Sequence, residues 1–223
     1  SASLVGSEMC IRDSYKGGTA MSIPFQDSET AKNLLRAFAG ESQARNRYDF
    51  AANLCQKQEL QAMAFIFQAT AKQEQAHAKV FWDHLQALNG QNLPIYGAYP
   101  IEGTNRILEL LRAAQHNEHE EHGSVYPSFA AIATQEGFPE AAASFRQIAA
   151  IEQLHGERFG LLADQLESGA LFVSQIETGW MCLNCGHTQN SLEAPKQCPV
   201  CNHGQGWFIR LELVPWSPVV KQT

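Results

Sequence analysis

"SFRQIAAIEQLHGERFGLLADQLE", residues 144–167, sets Phe145, Ile148, Phe159, Leu162 and Leu166 on one 3,4-spaced stripe and places Glu152 and His155 in the middle of it. Such spacing predicts a helix that turns its apolar face inward. A carboxylate on that face is costly, on the order of several kcal/mol when unpaired. Either the stripe is wrongly phased and these are surface residues, or something neutralises them.

The chain from Asp27 to about residue 168 bears on that choice. It is rich in Ala, Gln, Glu and Leu, with turn signals at only three places, and reads as a helical bundle. A first helix, capped by Asp27 or Ser28, gives the stripe Leu34, Ala37, Glu41, Ala44, Tyr48, Ala51, Cys55. A second gives Leu60, Met63, Phe67, Thr70, Glu74, His77, Phe81, and ends at Asn89-Gly90. A third, capped by Thr104, gives Ile107, Leu111, Ala114, Glu118, Glu121, Val125. Gly137 and Pro139 part it from the fourth. Every stripe is interrupted at its middle by carboxylates or Glu-x-x-His, a recurrence that argues against accidental phasing and for metal cations as the neutralising charge.

Height along the bundle gives a second test. Glu41 and Glu74 lie equidistant from the polar QKQE turn, and Glu118, Glu121, Glu152 and His155 centre on the Glu136-Gly137 turn. Each half therefore brings its ligands to one level. The loop GQNLPIYGAYPIEG, residues 90–103, can span ~46 Å. That is enough to traverse a bundle ~45 Å long and to make helices two and three parallel, without requiring it.

In QHNEHEEH, residues 115–122, Glu118 and Glu121 continue the stripe, while His116, His119 and Glu120 face elsewhere as a solvated or supporting surface. His122 sits at the stripe's edge and reads either way. His84 lies too far along the axis from His77 to share its ligand layer and reads as a core histidine. Two Glu-x-x-His helices with a Glu from each of the other two form the ligand set of a di-iron or di-manganese carboxylate bundle. Here the third helix carries one Glu more.

Cys182, Cys185, Cys198 and Cys201 form two CxxC pairs, a metal site of a reduced compartment rather than a disulfide framework. Taken alone, the module fits a zinc ribbon about as well as a rubredoxin, with Trp180, Trp207 and Phe208 as its small core. A net charge of −7 argues against a nucleic-acid partner. No apolar run reaches the ~18 residues of a membrane span, and no secretory signal is evident, so the expected compartment is the cytoplasm. Residues 1–21 read as a disordered or vector-derived extension, with Met21 a candidate start and no role for Cys10.

NLLRAFAGESQARNRY around Glu41, AKQEQAHAKVF around Glu74 and His77, EHEEHGSVYPSFA around Glu118 and Glu121, EGFPEAAASFRQIAAIEQLHGERF around Glu152 and His155, then CLNCG and APKQCPVC, occur in that order over roughly residues 22–213. In this order they resemble the rubrerythrin family. The resemblance implies an all-α four-helix ferritin-like bundle over residues 22–168, a linker over 169–179, a small β-rich rubredoxin-like metal-knuckle domain over 180–213 and a tail over 214–223. It implies two Fe per chain in a carboxylate-bridged di-iron site and one Fe in the rubredoxin-type site of four cysteines. By the resemblance, Glu74 and Glu152 bridge, Glu41, Glu118 and His155 are terminal ligands, and Glu121 and His77 exchange at one iron as the redox state changes. Tyr48 and Tyr126 match tyrosines that hydrogen-bond around the cluster, although their spacing alone fits core tyrosines equally well.

The implied activity is reduction of hydrogen peroxide to water. Electrons would enter through the rubredoxin iron from an NAD(P)H-dependent reductase or a rubredoxin, in a head-to-tail homodimer. Two competing readings are a ferroxidase or iron-handling protein and a zinc-bearing scaffold. The sequence departs from the family at Asn117 and Asn202, both at positions where Gly is usual, and neither change removes a ligand.

Overall fold

The fold is given by a computed structural model that describes residues 23–214. Cys10, Met21 and the extension expected over 1–21 lie outside the described residues, as does nearly all of the expected tail. The helices are α1 (Glu29–Lys57), α2 (Gln61–His84), α3 (Ile107–Glu120), α4 (Tyr126–Gln135) and α5 (Pro139–Glu167). A π-helical turn, Glu121–Val125, joins α3 to α4, so the bundle consists of four rods. There the Tyr126 amide donates to the Glu121 carbonyl, and Pro127, just beyond, can offer no N–H to the ladder.

Ser28 caps α1 by accepting from the Ala31 amide at 3.0 Å. Glu136, in the α4–α5 turn, also reaches this end and accepts from the amides of Glu29 (2.9 Å) and Thr30 (2.8 Å) and from the Thr30 hydroxyl (2.6 Å). Helix α2 stops at His84 rather than at Asn89-Gly90: the Leu85 amide bonds back only three residues, to Trp82, and the chain tightens into a 3-10 turn over Gln86–Leu88. Thr104 lies two residues ahead of the N-cap position of α3, Arg106, and accepts the Arg106 amide at 3.1 Å.

The long loop is strapped along α1. Arg36 holds the Tyr96 carbonyl (2.8 Å) and accepts Tyr99 on its own carbonyl (3.0 Å), Arg47 pairs with Glu102 (3.0 Å), and Gln58 reaches the Asn105 carbonyl (3.5 Å). The loop thus travels from the start of α1 to its end, which makes α2 and α3 parallel. Two apolar clusters fill the bundle: one around Ala51, Cys55, Met63, Leu111 and Leu162 at the α1–α2 turn, the other around Leu34, Phe81, Ala133 and Phe145 at the opposite end.

The small domain is an antiparallel sheet in the order β2-β1-β3, with β1 Val173–Cys182, β2 Thr188–Glu193 and β3 Phe208–Arg210. The segment expected as a linker over 169–179 therefore holds most of β1, which starts at Val173 because its amides pair with β2. Trp180, Ala194 and Phe208 bury with Cys182 and Cys198, and Trp207 packs against them. Ile209, Leu213 and Val214 insert into the bundle's own apolar cluster at the α1–α2 turn. The approach is so close that a Cβ on Gly206 would overlap the Glu59 carbonyl.

Candidate metal centres

Midway between the two apolar clusters lies a layer of buried polar side chains: Glu41, Glu74, His77, Glu118, Glu152 and His155. They fall into two groups, Glu41–Glu74–His77–Glu152 and Glu74–Glu118–Glu152–His155, the ligand atoms of each lying within 4.8 Å of one another. Glu74 and Glu152 belong to both. His77 Nδ1 lies 3.0 Å from Glu74 and 2.9 Å from Glu152, and the two imidazoles stack with centroids 5.8 Å apart.

His155 is the most informative member. Its Nε2 meets Gln73 Oε1 at 2.9 Å, and an amide oxygen can only accept, so Nε2 bears the hydrogen. That leaves Nδ1 facing Glu74 at 3.0 Å and Glu152 at 2.8 Å. Lone pairs aimed at one another at this range repel unless a proton or a cation stands between them. Neither His155 Nδ1 nor the oxygens Glu41 Oε2, Glu74 Oε1, Glu118 Oε2 and both of Glu152 have a hydrogen-bond partner. Buried donors with no partner, pointed at a shared centre, fit a metal pair.

With protons alone to balance the charge, the layer is strongly perturbed. Burial raises the Glu41 carboxyl to about 8 and raises Glu118, the charge of Glu152 adding to the latter. Burial opposes charge on His77, but the carboxylates of Glu152, Glu41 and Glu74 outweigh it and carry the imidazole up to about 12. Burial opposes charge on His155 too, and Glu74, Glu118 and Glu152 overcome it. A divalent cation would displace these protons.

The two tyrosines brace the layer from opposite sides. Tyr48 donates to Glu118 and Tyr126 to Glu41 Oε1, the latter at 2.5 Å. Glu121 is brought beside the layer but into neither close group. It rides on the π turn, where burial and the charges of Glu118 and Glu41 hold its carboxyl well above the usual range. His116, His119 and Glu120 are exposed. His122 bonds to the Ala149 carbonyl at 2.8 Å, and His84, half-buried, to Ser144 at 2.9 Å. Sequence reasoning missed Gln73, a mid-helix glutamine with no periodic signal to mark it. It also missed Asn117 as a loop anchor: its Nδ2 donates to Glu102 at 2.8 Å.

The cysteine site repeats one knuckle twice. The Cys182 amide bonds to the His187 carbonyl and the Gly186 amide to Cys182; likewise the Cys198 amide bonds to His203 and Asn202 to Cys198. Gly186 has φ +77° and Asn202 +61°, so Asn tolerates the turn that Gly usually makes. Cys182 and Cys201 lie 3.7 Å apart and Cys185 and Cys198 3.6 Å, and the four sulfurs form one group. The His203 amide donating to Cys201 lowers that thiol to about 5, whereas burial pushes Cys182 up to about 12.

Comparison with known proteins agrees with both centres. The rubrerythrin family profile matches residues 32–163, and that of the rubrerythrin rubredoxin-like domain matches 180–209. A rubrerythrin of Porphyromonas gingivalis is 44% identical over 195 residues, 87% of this chain and 96% of that protein. One of Nitratidesulfovibrio vulgaris is 40% identical over 186 residues, 83% and 96% respectively. A solved structure of nigerythrin in a mixed-valence state shares the fold, with a TM-score of 0.55 at 21% identity, covering 94% of this chain and all of that one. With a ferritin-like bundle that holds a di-iron carboxylate–histidine site and a rubredoxin-like four-cysteine site behind it, the chain belongs to the rubrerythrin family.

Proposed function

We propose that the chain is a non-haem di-iron peroxidase that reduces hydrogen peroxide to water, with electrons entering through the four-cysteine iron. The observation that carries the reading is the buried layer of partnerless carboxylate oxygens and His155 Nδ1 in the same chain as a complete four-cysteine site. One centre can store electrons next to a substrate, and the other can deliver them one at a time. When bound, the iron pair supplies the two electrons that split the O–O bond. The chain's own residues would hold it: Glu74 and Glu152, common to both close groups, with Glu41, Glu118 and His155, and with Glu121 and His77 as alternative ligands. Tyr48 and Tyr126 fix the terminal carboxylates, and Gln73 fixes the His155 tautomer.

The electron donor in this reading is an NAD(P)H-dependent reductase or a rubredoxin, and the compartment is the cytoplasm. No helix among the described residues is long and apolar enough to cross a membrane. The cysteine domain sits on its own bundle's end, ~20 Å from the ligand layer. Delivery to a partner chain's di-iron site in a head-to-tail homodimer is therefore part of the proposal.

Anaerobic reduction followed by stoichiometric peroxide tests the reading. Both iron chromophores should reoxidise with no release of iron, whereas release of iron to a chelator would point to a ferroxidase. Mixing exchanged Cys182→Ser and Glu74→Ala chains should restore reductase-coupled turnover. Confirmed mixed dimers that stay inactive would exclude transfer between chains.

A further inference from the structure

Hydrogen peroxide is about the size of two water molecules, each ~30 Å³ in the liquid. Beneath the long loop lies a cavity of about 330 Å³, several times larger and at the low end of the ~300–1,000 Å³ of pockets that hold organic ligands. Its walls are mostly apolar: Ala37 and Gly40 from α1, Pro100 from the loop, Val125 from the π turn and Phe129 from α4. Asn117 and Glu120 add polar atoms to the lining, and Glu121 and Tyr126 are the residues through which it meets the ligand layer, since the Tyr126 hydroxyl bonds to Glu41. Tyr99 closes part of the loop side, held by its hydrogen bond to the Arg36 carbonyl. The charged end of Arg36 is already engaged by Glu29, Asn33 and the Tyr96 carbonyl, so no free cation awaits an anionic ligand in this wall.

We infer that this cavity seats the organic group of a neutral alkyl or aralkyl hydroperoxide, with the –O–O–H end at Glu121 and Tyr126, and that the enzyme reduces such hydroperoxides to alcohols. The inference rests on the peroxidase reading. The reaction is R–O–O–H plus two electrons and two protons giving R–O–H and water. The O–O bond breaks, the two electrons already assigned to peroxide reduction enter it, and the protons, drawn from water, finish on the two separated oxygens. Apolar walls explain what hydrogen peroxide does not require, because an organic group gains by leaving water while a small polar peroxide does not.

Gly40 is the position from which to fill the cavity. A Cβ built there meets the Tyr99 ring at 3.6 Å, an ordinary contact, so Gly40→Ala fits and Gly40→Leu projects into the space. The probes are cumene hydroperoxide, hydrogen peroxide and the product alcohol, 2-phenyl-2-propanol. Calorimetric titration of the oxidised, metal-loaded protein with the alcohol needs no turnover. Wild type should bind it, and Gly40→Leu should lose affinity by roughly tenfold or more, with kcat/KM for cumene hydroperoxide relative to hydrogen peroxide falling by a similar factor. Should Gly40→Leu fail to fold, Gly40→Ala must still move both quantities in the same direction. Absence of alcohol binding in wild type, or binding and a rate ratio indifferent to residue 40, would overturn the inference. If wild type turns over neither peroxide, the peroxidase reading falls while the alcohol titration still decides whether the pocket exists.

Discussion

The bundle's ligand layer and the cysteine knuckles both gather metal donors, but by opposite routes. Cys182 and Cys185 are held by a turn of a few residues, as are Cys198 and Cys201, and the two turns are copies of each other. Glu41, Glu74, Glu118 and Glu152 come from four rods and meet only because two long apolar clusters bring them together. The small domain's core is Trp180, Ala194 and Phe208 together with two of the ligand cysteines, so its metal is part of its core. The layer instead interrupts a core that is already large. Metal should therefore be a folding requirement in one region and a relief of electrostatic strain in the other.

The largest expected effect is at the knuckles. Cys198→Ser, at a fully buried ligand, should leave β1, β2 and β3 without hydrogen-exchange protection while the helices stay protected. Structural cysteine sites draw on the order of 10 kcal/mol or more of folding free energy from their metal. Strands that stay protected without metal would erase the contrast between the two regions.

Next comes Glu152→Ala, which removes a carboxylate common to both close groups. Metal analysis should show the bundle's metal reduced by half or more and the cysteine iron intact. In the metal-free state the variant should unfold earlier than wild type, because Glu152 lies 2.9 Å from His77 and 2.8 Å from His155 and its loss leaves charged buried imidazoles uncompensated. A metal-free Glu152→Ala bundle as stable as metal-free wild type would mean that the carboxylates and imidazoles of the layer do not pair in the absence of metal.

The metal-free protein should also respond to pH in a direction unusual for a carboxylate site. Glu41 is raised from 4.5 to about 8, so the native state binds more protons than the unfolded one between those values, and stability falls as pH rises through them. His77, raised from 6.5 to about 12, acts in the same sense, its contribution full below 6.5 and lost towards 12. Thermal unfolding from pH 5 to 9 should show Tm falling in the metal-free protein and much less change in the loaded one. A Tm that climbs over this range without metal would contradict the proton-balanced layer.

Smaller still is Glu136→Ala, which frees three donors at the start of α1 and should cost about 1–2 kcal/mol with no change in metal content. Smallest are His119→Ala and Glu120→Ala, both exposed and outside the layer, each expected to stay within about 0.5 kcal/mol of wild type by urea unfolding, with full metal loading.

Much of this is legible in the chain because it is periodic or local. The interrupted stripes place Glu41, Glu74, Glu118 and Glu152 at one level with no knowledge of the loops between them, and the CxxC spacing defines the knuckles outright. Local pattern fails elsewhere for identifiable reasons. A regular repeat puts Glu121 on the stripe, but the π turn breaks that repeat, and the first half of β1 reads as linker because Val173 pairs only with Glu193, twenty residues on and across a register shift. Helix α2 ends well before the glycine that marks a stop, because its last turn tightens to 3-10 geometry.

By itself, then, the sequence determined which residues can face inward and which donors share a face, since helical period and turn geometry are properties of a few neighbouring residues. Only the tertiary structure decided what those donors meet. The direction of α3 was settled by Arg36, Arg47 and Gln58 strapping the loop along α1. The tautomer of His155 was settled by Gln73 from another helix, the capping of α1 by Glu136 more than a hundred residues away, and the cavity at Glu121 by a loop laid across two rods. Each depends on side chains far apart in the chain, whose meeting no local pattern records, because burial and hydrogen-bond satisfaction are conditions on the whole fold.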